Sequence, residues 1–154
     1  MRRTKVRAPT LAVQYAVSRK GLPAANSFRL WASAALERSA AQITIRLVNA
    51  REGRALNRAY RGKDYPTNIL SFVYELPELS GDLVLCAPVI TKEARAQGKR
   101  LRDHYAHLIV HGTLHLQGWD HQSSRSASKM ERREIAILAT LGIADPYVIE
   151  TPEQ

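Results

Sequence analysis

All five histidines of this 154-residue chain fall between His104 and His121. The stretch His111-Gly-Thr-Leu-His115-Leu-Gln-Gly118-Trp-Asp-His121 is the one around which the rest is built. His111 and His115 are one helical turn apart, so a helix puts both imidazoles on one face, within roughly 40° of each other. Gly118 permits the positive φ that ends a helix at little steric cost. That turn brings His121 back as a third ligand from outside the helix. Three neutral imidazoles leave one position of a tetrahedral zinc open, the arrangement of a catalytic rather than a structural site.

The spacing H-x-x-x-H-x-x-G-x-x-H is that of the metzincin proteases, which carry a Glu directly after the first His as general base. Here Gly112 stands in that place, and no carboxylate lies elsewhere between His111 and His115. The ligand frame is kept and the peptidase base is missing. His107 precedes His111 by one turn but is two turns from His115, too far to share one ion at ~2.1 Å from each nitrogen. It reads as a catalytic or substrate-contacting group, or as a buried hydrogen-bonded histidine. His104 follows the same face more loosely. Asp120 is placed to accept the second N–H of a ligand imidazole and fix its tautomer, or to face solvent in the turn.

The string His111–His121 resembles the YbeY family of bacterial metal-dependent endoribonucleases. Two further blocks carry the resemblance, the run Leu56 to Phe72 (LNRAYRGKDYPTNILSF) and the strand Gly81-Asp82-Leu83-Val84-Leu85; together they span about Leu47 to Tyr147. It implies a single α+β domain with a small mixed four-stranded sheet covered by about five helices, a zincin-like metal helix lying across it. It also implies a single-strand-preferring endoribonuclease acting in ribosomal RNA maturation and ribosome quality control, with one Zn²⁺ ion. Ribosomal RNA and the small ribosomal subunit or its assembly factors are the partners so implied, and the oligomeric state is left open.

Arg61 aligns with the family's functionally important arginine, and its chemistry suits that role. Water activated by a metal, attacking a phosphodiester, builds charge on the nonbridging oxygens, which a permanently charged planar guanidinium binds in bidentate fashion. Lys63, Asn68 and Ser71 are candidate substrate-binding groups, with Asp64 orienting the loop and Asp82 a substrate or scaffold group. The identity of the general base stays open between His107, an Asp and the phosphate, and the RNA 2′-hydroxyl is a possible nucleophile. Two rivals stand beside this reading: another metal-dependent hydrolase, such as a peptidase, and a noncatalytic ribosome-assembly protein with structural zinc.

Charge supports a polyanionic partner. Twenty-three Lys and Arg against 14 Asp and Glu give a formal charge of +9 and a pI of about 10.1, favouring nucleic acid through counterion release. The basic arm Arg2, Arg3, Lys5, Arg7 and the stretch Lys92, Arg95, Lys99, Arg100, Arg102 are the expected RNA-contacting surfaces. Lys129, Glu131, Arg132, Arg133 and Glu134 on the last helix read as a solvated face. With aromatics at 6 %, broad base stacking is not expected. A lone cysteine, Cys86, excludes an intramolecular disulfide and reads as a buried small hydrophobe in a reducing compartment. The chain shows neither a convincing signal peptide nor an apolar run long enough to span a membrane, so a cytoplasmic location is expected.

The size fits one domain, 1–154, with residues 1–9 as a basic arm and 145–154 as an extended tail. Alternation predicts strands over Leu11–Val17, Ile43–Leu47, Asn68–Tyr74 and Asp82–Ala87. Helices are expected from an N-cap at Ser27 to Leu36, from a cap at Asn49 to about Tyr60 with Ala55, Leu56 and Ala59 inward, and from Pro88 to about Gln97, closed by Gly98. Two more run over about Leu101–Leu116 and Ser126–Leu141, the latter stopped by Gly142.

Overall fold

The structure, a computed structural model, describes residues 8–38, 40–74 and 78–148. Among them the elements run β1 (Thr10–Tyr15), α1 (Ala25–Ala35), β2 (Ala41–Val48), α2 (Ala50–Arg61), β3 (Ile69–Tyr74), β4 (Leu79–Cys86), α3 (Ala87–Ala96), α4 (Leu101–Leu116) and α5 (Ser124–Thr140). The strands form one sheet in the order β1-β2-β4-β3. β1, β2 and β4 are parallel, and β3 joins β4 antiparallel at the edge. This is the α+β fold with a mixed four-stranded sheet and five helices that the sequence implied.

β4 is buried on both faces at its C-terminal half, Leu83 to Cys86, as its continuous apolar run requires. The main core lies between the sheet and α1, α4 and α5, where Phe28 meets Trp31 and Tyr105 edge-on at 5.6 Å in each case. A smaller core of Val48, Leu70, Val84 and Cys86, with Leu56 and Phe72 against it, lies under α2 on the other face. Cys86 is buried there, and desolvation pushes its thiol pKa up, as expected of an inert small hydrophobe. Among the described residues no helix is long and apolar enough to cross a membrane.

Two glycines seat α4 on the sheet. A Cβ on Gly112 would stand 2.7 Å from Cδ1 of Ile69 and 2.9 Å from Cδ2 of Leu83; one on Gly81 would stand 2.7 Å from the carbonyl of Phe72 and 2.8 Å from Cδ2 of Leu116. Helix and strands therefore approach more closely than a methyl group allows. Along β3 the alternation of faces puts Ile69, Ser71 and Val73 on the α4 side and Leu70, Phe72 and Tyr74 on the α2 side.

Several predicted boundaries shift. Helix α1 starts at Ala25 without a side-chain cap, so Ser27 lies inside its first turn. Asn49 does cap α2, accepting from Glu52 N–H, but Ala55 and Ala59 are exposed while Gly53, Leu56 and Asn57 turn inward. Strand β4 begins at Leu79 because its parallel pairing with β2 starts there, at Ala41 opposite Leu79. Helix α5 begins at Ser124, behind a reciprocal Ser123–Ser126 capping box. The predicted tail is no extended strand where it is described: residues 146 and 147 form a turn, and Tyr147 folds back onto α4 and α5. The Arg2–Arg7 arm and residues beyond 148 lie outside the described residues.

Candidate metal centre

Helix α4 ends in a Schellman closure. Gly118 takes φ 97°, its N–H bonds the His115 carbonyl at 3.0 Å, and the Trp119 N–H bonds the Leu114 carbonyl at 3.1 Å, the pairing expected of a left-handed glycine after a helix. Gln117 pins this end to the C-terminus of α1, donating to the Ala35 carbonyl at 2.8 Å and accepting from Glu37 N–H at 2.7 Å. The chain leaving Gly118 thus returns His121 to the helix face. Ring centroids of His111, His115 and His121 stand 5.0–5.5 Å apart, and one ligand atom from each lies within 4.8 Å of the others. Nitrogens ~2.1 Å from one zinc ion are ~3.4 Å apart in a tetrahedron, so the donor set suits a single ion after a small inward adjustment.

Behind the donors lies a buried carboxylate. Glu134 of α5 has no exposed surface. Its Oε1 lies 3.0 Å from Nδ1 of His111 and 3.0 Å from Nε2 of His107, and its Oε2 accepts from the Tyr147 hydroxyl at 2.9 Å. A carboxylate only accepts, so Nδ1 of His111 carries the proton and Nε2 keeps its lone pair for a metal. Burial alone would push Glu134 up, but its bonds to His107 and His111 outweigh this and bring it down to about 2. Burial and the nearby Glu134 charge raise the Tyr147 phenol. His115 is pushed down, first by burial and then by repulsion from His111 and His121, which keeps its imidazole neutral as a ligand must be.

The other predicted site residues divide by environment. His107 is part-buried and hydrogen-bonded: besides Glu134, its Nε2 reaches the Tyr147 hydroxyl at 3.1 Å, and its side chain is 13 % exposed. His104 turns away to Glu93, 3.1 Å from its Nε2. Asp120 is exposed and accepts from Gln122 N–H at 3.3 Å; the carboxylate that meets a ligand imidazole is Glu134. Asn68 is drawn into scaffolding, donating to Glu93 and accepting from Ile69 N–H. Ser71 is exposed on the α4 side of the edge strand, and Asp82 receives the Tyr74 hydroxyl.

Arg61 is the last residue of α2, exposed and without an ion pair among the described residues. Its backbone is nevertheless fixed. Gly62 caps the helix at φ 68°, buried Asn57 donates to the Tyr65 carbonyl at 2.7 Å, and Arg54 grips Asp64 at 2.8 and 3.0 Å. Lys63 is exposed in this turn. Arg51, Arg54 and Arg58 line an open depression of about 450 Å³ on the outer flank of α2. At 100° per residue they fall with Arg61 in one stripe roughly 80° wide.

Glu134, Tyr147 and Asn57 had no part in the sequence-based site. For Glu134 a signal existed: Met130, Ile137 and Leu138 are buried on α5, and their spacing puts residue 134 on the same apolar stripe. A lone acid in such a stripe needs a buried partner.

Comparison with known proteins gives one answer. The family model described as "Endoribonuclease YbeY" matches residues 19–142. Curated proteins of that name from Stenotrophomonas maltophilia and Xanthomonas oryzae pv. oryzae are each 56 % identical over 151 residues, covering 91 % of this chain and 94 % of their own. One from Xanthomonas campestris pv. campestris is 52 % identical over the same shares. In structure, the chain is similar to TM1509 from Thermotoga maritima, with a TM-score of 0.56 at 19 % identity over 90 % of this chain and 99 % of that one. At that identity the likeness concerns the fold.

Proposed function

The chain belongs to the YbeY endoribonuclease family, and on that premise we propose that it is a zinc-dependent endoribonuclease. Its substrate is single-stranded ribosomal RNA, cut in maturation and quality control of the small ribosomal subunit in the cytoplasm. The observation that carries the reading is the convergence of three imidazoles, one of them with its second nitrogen held by a buried carboxylate. His111, His115 and His121 would hold one zinc ion. Such an ion, when bound, supplies Lewis acidity and acidifies water toward a pKa of ~7.

The protein's own groups do the rest. Arg61, fixed at its backbone and with no ion pair at its guanidinium among the described residues, binds the nonbridging phosphate oxygens as their charge grows. Lys63 adds a second cation at the same turn, and Ser71 offers a hydroxyl to substrate on the α4 side of the edge strand. Asn68 holds the start of β3 rather than substrate. His107, with Nε2 committed to Glu134, positions that carboxylate instead of exchanging protons with substrate. Peptidase chemistry is disfavoured further by the fold: a side chain at 112 would run into Ile69 and Leu83, so a base there has no room. A purely structural zinc is disfavoured because, among the described residues, three protein donors converge rather than four.

The test is cleavage of single-stranded RNA by purified, zinc-loaded protein beside Arg61→Ala and His115→Ala, with metal content and folding measured for each. Loss of cleavage in both, with Arg61→Ala folded and zinc-loaded, supports the enzyme. Equal cleavage by all three assigns the activity to a contaminant and advances the assembly-protein reading.

A further inference from the structure

Few aromatic residues exist in this chain, yet several gather at one place beside Arg61. Tyr60 is 67 % exposed and meets Phe72 of β3 edge-on, with ring centroids 4.8 Å apart. Two residues along the same face of that strand, Tyr74 is 48 % exposed. Neither ring is loose: Phe72 is anchored in the smaller core, and the Tyr74 hydroxyl is bonded to Asp82. The strand beneath them is the sheet edge, with nothing paired to its outer side in the described structure. Exposed aromatic surface held this rigidly has already lost most of the entropy that binding would otherwise cost.

The surroundings select the partner. A protein-docking patch of this kind would be ringed by mixed polar groups. Here the charges that follow Tyr60 in the chain are cations, Arg61 next to it and Lys63 in the turn, with Asp82 already held by the Tyr74 hydroxyl; the Arg51–Arg54–Arg58 stripe lies on the outer flank of α2, turned away from the Tyr60 face. Rings flanked by cations match a strand of unpaired bases on a polyphosphate backbone. We propose that Tyr60 and Tyr74, braced by Phe72, form a base-stacking platform for single-stranded RNA, whose backbone passes Arg61 and Lys63 at the end of α2. This rests on the ribonuclease reading and adds where the substrate lies and why it is single-stranded. Bases in a duplex have their faces covered by their neighbours and cannot use the rings. The overall aromatic content pointed away from stacking; local concentration of the aromatics reverses that expectation.

The experiment measures binding by fluorescence anisotropy, with chelated protein so that no cleavage occurs. The probes are a single-stranded RNA oligonucleotide, the same sequence as a duplex, and an oligonucleotide of equal length with abasic residues, which keeps the phosphates and removes the bases. Proteins are wild type, Tyr60→Leu, Tyr74→Leu and the ring-retaining Tyr60→Phe, each checked for its thermal midpoint. Expected is weaker binding of the intact single strand by roughly 5- to 150-fold in each Leu variant, near-wild-type binding by Tyr60→Phe, and weak, variant-insensitive binding of abasic and duplex probes. Equal wild-type affinity for intact and abasic strands, or no loss in folded Tyr60→Leu, overturns the platform while leaving RNA binding standing. Failure of the wild type to bind any of the three probes overturns the platform together with the ribonuclease reading.

Discussion

The back wall of the metal centre and the turn carrying Arg61 solve opposite problems. At the wall, His107, Tyr147 and His111 form a network around the buried Glu134, whose carboxylate engages all three. Such a network fixes tautomer and ring orientation before any metal arrives, at the cost of desolvating a carboxylate. At the turn, Asn57 and the Arg54–Asp64 pair hold the backbone, while the Arg61 side chain stands in solvent with no partner among the described residues. A group that must meet a phosphate gains nothing from an internal partner it would first have to release. Rigid donors on one side and an uncommitted cation on the other are what a metal site and a substrate site respectively require.

The comparison breaks most visibly at the metal. His115→Ala is expected to abolish stoichiometric zinc binding and with it cleavage, read by metal analysis of the purified protein. Next comes Arg61→Ala, with kcat down by about 10²–10³-fold and zinc content and thermal midpoint unchanged. Arg61→Lys should restore little, since an ammonium lacks the planar fork. Removing the charge behind His111 has a smaller and different effect. Glu134→Gln should weaken zinc about 10- to 100-fold, measured by chelator competition, and Tyr147→Phe less, since it removes one of the carboxylate's partners and keeps the charge.

How much of this was legible follows the same division. Local rules placed the pieces whose cause is local: α4 runs over Leu101–Leu116 as its pattern required, and Asn49, Gly62, Gly118 and Gly142 stand at helix ends. The three histidines converge because one-turn spacing and a glycine turn leave few alternatives. What was missed depends on which faces meet. Glu134 sits among arginines in the sequence, which masks its place on the apolar stripe of Met130, Ile137 and Leu138, and its partners on α4 appear only where the two helices pack. Tyr147 comes back from beyond Gly142, a return that no periodicity announces. Asp120 stands next to His121 in the chain and is exposed, while the carboxylate that meets His111 comes from across the helices.

Close packing of α4 gives a stability test between these two kinds of site. A Cβ on Gly81 would press on the Phe72 backbone carbonyl, whereas one on Gly112 would meet the ends of the Ile69 and Leu83 side chains. Backbone yields less than side-chain termini. Gly81→Ala should therefore cost about 2–3 kcal/mol and Gly112→Ala nearer about 1 kcal/mol in urea unfolding of zinc-free protein. If the order reverses, the seat of α4 is set by the helix rather than by the strand.

The finest test uses acid, because α4 carries two carboxylate–imidazole arrangements. His104 is pushed below its ordinary 6.5, chiefly by burial and only partly offset by its bond to Glu93. A histidine harder to protonate in the folded state binds more protons when unfolded, so stability falls as pH drops below 6.5 and levels off below the folded value. Glu134 is the reverse kind of group: held at about 2 against an ordinary 4.5, it stabilises the fold above 4.5, and that contribution disappears as pH falls toward 2. Zinc-free protein should thus lose stability in two steps that begin at different pH, one as pH falls below 6.5 and one as it falls below 4.5. His104→Gln should shrink the upper one, to which His115 also contributes, and leave the lower, while Glu134→Gln should do the opposite, both read from urea midpoints across pH. A single step unaffected by His104→Gln would mean that the Glu93 pair compensates its own burial, and the contrast between the two pairs would then rest on metal binding alone.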